Sequence, residues 1–281
     1  MNHVLKSTDS LTPPSRLNAL IRWVTRSIQK NLNSIFVVLG FFLLWEAAVW
    51  VFRIPPFILP APSTALSHLL FPRAEANYRW SYHISSTVLA ISLSFVATST
   101  VGILIAIALA WSKRLKEIIL PAFVFINSLP IIAIAPIILL WMGYGVFTNM
   151  VIAFLVGFFP VVINTITGLE AVDEDLLDLV RYLHASKLQV FLKIRIPNAL
   201  PYIFSGLKIC STMSIVGAIV GEFIASDRGL GYIIINAQYS MNTPPIFSSL
   251  ILISLAGALL FTLVSLLERI LMPWTAFEAE P

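Results

Sequence analysis

The chain has 281 residues, of which 58% are hydrophobic and 11% charged, with a net charge of +4. A soluble globular domain carries about 25% charged residues, so this composition excludes an ordinary soluble fold and marks an integral membrane protein. The single cysteine, Cys210, excludes an intrachain disulfide and a cysteine metal site, and His3, His68, His83 and His184 show no metal-ligand spacing.

Residues 1–15 are polar and contain Pro13–Pro14. They lack a short apolar core with a small-residue cleavage site, so no removable signal peptide is expected. From Arg16 to Asn33, the apolar Leu17, Leu20, Ile21, Val24, Ile28 and Leu32 alternate with Arg16, Arg22, Arg26 and Lys30. That pattern predicts a basic amphipathic helix lying on the membrane surface. Residues 1–33 are thus read as a cytoplasmic tail and 34–281 as the membrane domain, with no internal repeat and no separate soluble domain.

A membrane span needs about 20 apolar residues. Six stretches qualify: Ser34–Phe52, Ile84–Trp111, Ile118–Met142, Val146–Gly168, Pro201–Ala225 and Phe247–Leu267. The expected class is therefore all-α, a polytopic protein with six transmembrane helices. Ile118 to Leu169 holds no charged residue, and Gly143-Tyr144-Gly145 is the turn that divides it. Pro121, Pro130 and Pro136 predict a kinked or broken third span. Fourteen Lys and Arg fall on the side that holds both termini and the loop 169–200, against four on the other. The bias toward positively charged cytoplasmic loops places both termini and that loop in the cytoplasm.

The segment Asp173–Pro201 is the longest polar break in the chain. Asp173, Glu174 and Asp175 suit a helix N-terminus, and Leu176, Leu177, Val180 and Leu183 recur at helical spacing. Ser186 and Gln189 fit a capping box for a second helix, which Pro197 is expected to stop. The turn between the helices falls at His184–Ala185.

This loop resembles the EAA loop of ABC-importer permeases, in which E-A-A, three residues, Gly, nine residues and I-x-L-P build the coupling helices. Asp178 stands for the Glu, Leu179 and Val180 for the two Ala, His184 for the Gly, and Ile194 with Ile196–Pro197 for the end. LHASKLQVF and PNALPYIFSGLK also look like family segments. The resemblance runs over about 57–274. It implies the transmembrane subunit of a type I ABC importer of the nitrate, sulfonate and taurine group, in a bacterial-type inner membrane. It also implies partners: two cytoplasmic ABC ATPase subunits on the loops, a second permease copy as a homodimer, and an extracytoplasmic solute-binding protein. The permease would bind no cofactor itself, ATP being held by the ATPase. Leu183, Ala185 and Ser186 complete the expected coupling set.

No phosphate-binding G-x-x-x-x-G-K-[ST] loop is present, and no catalytic cluster sits in the spans. The alternatives are an ion-coupled secondary transporter, which would show repeats and mid-membrane charges, and an intramembrane enzyme. Neither involves nucleic acid. Ionisable residues within spans are functional candidates, and there are three. Glu46 could pair with a neighbouring polar group, Lys208 could snorkel to the cytoplasmic surface, and Glu222 could reach water at the outer end. Asn127, Ser128, Pro130, Asn164 and Glu222 are the pathway candidates, with a packing kink the alternative at the prolines. Gly217 and Gly221 form G-x-x-x-G, a close-packing motif within the chain or between two copies.

Overall fold

The computed structural model describes residues 36–70 and 79–273. The predicted surface helix Arg16–Asn33 lies outside them. Residues up to Thr64 and residues from Ala65 onward form two compact units.

In the first unit, α1 (Phe36–Val51) is apolar on nearly every side. Glu46 interrupts it and is satisfied locally. Its carboxylate accepts from Ser63 N at 3.0 Å, Ser63 Oγ at 2.6 Å and Trp50 Nε1 at 3.0 Å. Ser63 lies in the first turn of α2 (Pro62–Leu70). Glu46 thus serves as a side-chain cap, supplying an acceptor to a free helix-start N–H.

The second unit is built on three long helices, α3 (Trp80–Trp111), α6 (Val146–Glu170) and α9 (Ile196–Ala225). The most extensive packing is between α6 and α9, followed by α3 on α6. Small residues are the reason. In lipid, apolar surface alone does not draw helices together, so close backbone approach must. A methyl group at Gly217 would collide with the Ala153 backbone, and one at Gly221 would lie 2.9 Å from Asn149 Cα. The G-x-x-x-G motif of α9 therefore packs against α6 of the same chain. On α3 the buried stripe Thr87, Ile91, Ser94, Thr98, Gly102 and Ala106 continues the same principle.

Between α3 and α6 the chain forms α4 (Lys113–Ser128) and α5 (Ile131–Met142), which meet at 95°. Of the three prolines expected to distort this span, only Pro130 marks the break. Pro121 and Pro136 lie inside their helices. The turn at Gly143-Tyr144-Gly145 is present, with φ of 76° and 146° at its glycines. After α9 come α10 (Leu230–Tyr239) and α11 (Thr243–Leu271). Among the described residues, four helices are long and apolar enough to cross a membrane, and the bent pair α4–α5 is a fifth candidate. The protein is an all-helical multi-pass membrane protein among its described residues.

Candidate functional site

The loop after α6 is a helix–turn–helix, capped at both ends of its first helix and at the start of its second. Asp173 accepts from Asp175 N at 3.0 Å and opens α7 (Glu174–Tyr182). At the other end, His184 N donates to Arg181 O at 2.9 Å and Ala185 N to Val180 O at 3.0 Å. This pair of bonds is a Schellman motif, whose reversing residue adopts the left-handed conformation and is usually Gly. Here it is His184, with φ of 55°. The turn closes with both bonds of that motif, at the cost of a left-handed non-glycine residue.

Ser186 then caps α8 (Lys187–Val190) through a reciprocal box, Gln189 N to Ser186 Oγ at 3.3 Å and Ser186 N to Gln189 Oε1 at 2.8 Å. The expectation that Pro197 ends this helix is wrong. A single π-helical turn, Phe191–Arg195, carries α8 directly into α9, and Pro197 sits in the first turn of α9. Proline is tolerated in a first turn, and a wider turn before it accommodates the missing N–H. The result is one continuous 39-residue rod, Lys187–Ala225. At 1.5 Å per residue it is about 58 Å long, nearly twice the roughly 30 Å hydrocarbon core.

The apolar positions of α7 do not form one face. Leu177, Val180 and Ala185 are half-buried and line a cavity beneath the loop. Leu179 is 57% exposed, Leu183 71% and Tyr182 87%. Asp178, Ser186 and His184 are exposed as well, with Asp178 paired to Arg181 at 2.7 Å. Ile194 is half-buried and Pro197 exposed. The nine residues of the expected coupling set thus divide between an outward rim and an inward anchor.

The pathway candidates separate. Asn127, Ser128 and Pro130 are together and exposed at the α4–α5 break. Ser128 Oγ donates back to Val124 O at 2.7 Å, and Pro130 O accepts Ala133 N at 2.9 Å. Asn164 is elsewhere: its Nδ2 donates to Pro160 O at 2.8 Å, and its Cβ faces Gly206 in the α6–α9 seam. Glu222 does not reach water. It is 1% exposed, because α3 and α10 cover the C-terminal end of α9. Its carboxylate accepts from Thr87 Oγ1 and from Gly231 N, each at 2.7 Å, while Thr87 Oγ1 accepts from Leu230 N at 2.8 Å. Nearby, Gly229 N donates to His83 Nδ1 at 3.0 Å, and the His83 ring stacks on Tyr232. Glu222 therefore fastens the start of α10 to α3 and α9. Thr87 lies 135 residues from it in sequence and Gly231 nine, across the turn into α10, and no motif points to either. Lys208 likewise does not simply reach for the surface, since it is ion-paired with Glu268 of α11.

Replacing Glu222 by Ala should destabilise the protein by about 2 kcal/mol, because Gly231 N–H is left buried without an acceptor. Glu222→Gln, which keeps an amide oxygen for that donor, should retain most of the stability. Thermal unfolding in detergent, with limited proteolysis of the Asp227–Gly231 segment, measures both. Equal melting of the Ala variant and the parent would mean that the bracket contributes nothing.

Residues 98–276 match the family model described as the binding-protein-dependent transport system inner membrane component. That match spans more than half of the chain and includes the capped loop and the broken span. The chain belongs to this family of ABC transporter permeases. The permease is 34% identical to a probable ABC transporter permease protein of Haemophilus influenzae, over 85% of this chain and 96% of that one. It is 29% identical to a formylaminopyrimidine transport permease protein of Halalkalibacterium halodurans, over 83% and 91% of the two chains. With a putative aliphatic sulfonates transport permease protein of Bacillus subtilis it shares 29% identity, over 82% and 83%. Family membership makes it a transport component of the inner membrane rather than an enzyme.

Proposed function

We propose that this permease is the membrane subunit of an ATP-driven type I importer with six spans, α1 and the pair α4–α5 each serving as one. Two copies form the pathway as a homodimer, and a cytoplasmic ABC ATPase docks on the loop 169–200 of each. An extracytoplasmic binding protein delivers a small nutrient in the class of nitrate, sulfonates, taurine or pyrimidine vitamin precursors. Both termini are cytoplasmic, in keeping with the charge bias. The observation that supports this reading most is the capped turn with exposed Leu179, Tyr182 and Leu183, carried at the head of one continuous helix. A groove closing on that turn would move α9, and with it α6, as a body. ATP binding would then shift the permease between inward-facing and outward-facing states.

Uptake of a radiolabelled solute into reconstituted vesicles tests the reading against ion-coupled transport. ATP with the loaded binding protein should drive uptake, and ionophores that collapse proton and sodium gradients should leave it intact. Uptake that needs a gradient and ignores ATP would make the protein a secondary transporter.

The pathway and the orientation are tested together by single cysteines in a Cys210→Ala background. In sealed cells, Tyr239→Cys should react with a membrane-impermeant thiol reagent, and Tyr182→Cys only after the membrane is opened. Cysteines at Ser128, Ile132 and Ala133, all exposed, should react with a small water-soluble reagent, whereas buried Ala135→Cys should not. Protection at Ser128, Ile132 and Ala133 alike, with and without ATP, would reduce the broken span to packing.

A further inference from the structure

Behind the coupling turn lies a cavity of about 790 Å³. One wall is apolar: Trp111 at the end of α3 meets Phe191 edge to face at 5.1 Å, with Val180 and Val190 beside them. The rim is cationic. Lys113 and Lys116 of α4, Arg181 of α7, Lys187 of α8 and Arg195 of the π turn all line it, against only Glu117 and Glu170. Two of these cations are already satisfied, Lys116 by Glu170 at 2.5 Å and Arg181 by Asp178 at 2.7 Å. Lys113, Lys187 and Arg195 have no carboxylate partner among the described residues. Three cations from three separate elements thus line one cavity, where a bound anion would offset their mutual repulsion.

The position of the cavity says which anion. Trp111 closes the apolar run of α3, and tryptophan is enriched at the membrane–water boundary. The cationic rim begins two residues later, at headgroup depth. Lysine ammonium groups and an arginine guanidinium together suit a phosphate oxygen set. A free phosphate would leave the aromatic and aliphatic wall unused, whereas a phospholipid would cover it with its glycerol and upper acyl carbons. We infer that this cavity binds the phosphate group of an anionic phospholipid from the adjoining leaflet, seated between α3, α4 and the coupling loop. Basic pockets between membrane helices take such headgroups. Val180 and Ala185 share the cavity, so a bound headgroup props the loop from behind while Leu183 remains free on the outside. The site shares no residue with the α4–α5 break and does not depend on ATPase docking.

The test is native mass spectrometry of the full-length permease complex, purified in mild detergent and offered dioleoylphosphatidylglycerol or dioleoylphosphatidylcholine. The parent should retain the anionic lipid preferentially. Each of Lys113→Gln, Lys187→Gln and Arg195→Gln should lower that preference about five-fold, and the triple variant should abolish it. The charge-conserving triple Lys113→Arg, Lys187→Arg, Arg195→Lys should keep it, which separates charge from any effect on folding. If the neutral triple fails to fold, Lys187→Gln alone, on the exposed face of α8, carries the same expectation. Equal retention of the two lipids would overturn the inference, as would a neutral variant as selective as the parent. Capture of inorganic phosphate with no retained phosphatidylglycerol would also overturn it and make the site one for a soluble anion.

Discussion

Leu183→Asp should abolish solute-stimulated ATP hydrolysis by the assembled transporter while leaving the permease folded in its membrane. Leu183 is 71% exposed at the end of α7, so the fold does not need its side chain. A groove that receives this turn would bury it, and buried anchors dominate interface energies. The expected loss of docking is about 2 kcal/mol or more, the scale of an interface hot spot. Arg181→Gln, which removes a pair in which both side chains are exposed, should change little, since such pairs are worth about 0–1 kcal/mol. His184→Gly should be tolerated or mildly stabilising. A left-handed residue other than glycine costs about 1–2 kcal/mol, and His184 sits at φ of 55° in the Schellman turn. Co-purification of the ATPase and its activity measure all three variants. Parental binding and stimulation by Leu183→Asp would show that the loop is not the coupling element, whatever the fold.

The second large effect belongs to the seam between α6 and α9. Gly217→Val should cost about 3 kcal/mol, the upper part of the range for overpacking, and lower the yield of monodisperse protein. Even the first carbon of a side chain at Gly217 would fall on the backbone of Ala153, which cannot rotate aside. The helices would have to separate along their length and carry Gly206 away from Asn164 and Gly221 from Asn149. Gly40→Ala is the control. Nothing lies within 4 Å of a methyl group there, and alanine in a helix gains about 0.5–1 kcal/mol over glycine. Thermal unfolding and gel filtration of the two variants should differ sharply. Similar melting of both would mean that the seam is loose enough to absorb a side chain.

What could be read along the chain was whatever depends on neighbours in sequence. The caps at Asp173 and Ser186 and the reversal at His184–Ala185 follow from bonds between residues at most five apart, and the apolar runs and the turn at Gly143-Tyr144-Gly145 from composition and from the backbone freedom of glycine. Local dihedral preference and the spacing of donors and acceptors are enough to specify them. Pro197 misled for the same reason. A proline ordinarily ends a helix, but only the packed structure reveals the π turn that lets α8 run into α9. Glu222 was visible as a charge in a span, but its partners Thr87 and Gly231 come from α3 and α10, and burial there turned an expected water-facing group into a bracket. The same holds for Lys208 with Glu268 and for Gly217 with Ala153. An amphipathic pattern also cannot say which of its apolar residues faces inward. The division of α7 between Val180 beneath the loop and Leu183 outside it was decided by where α3 and α6 end, because only those ends determine which side of the loop water can reach.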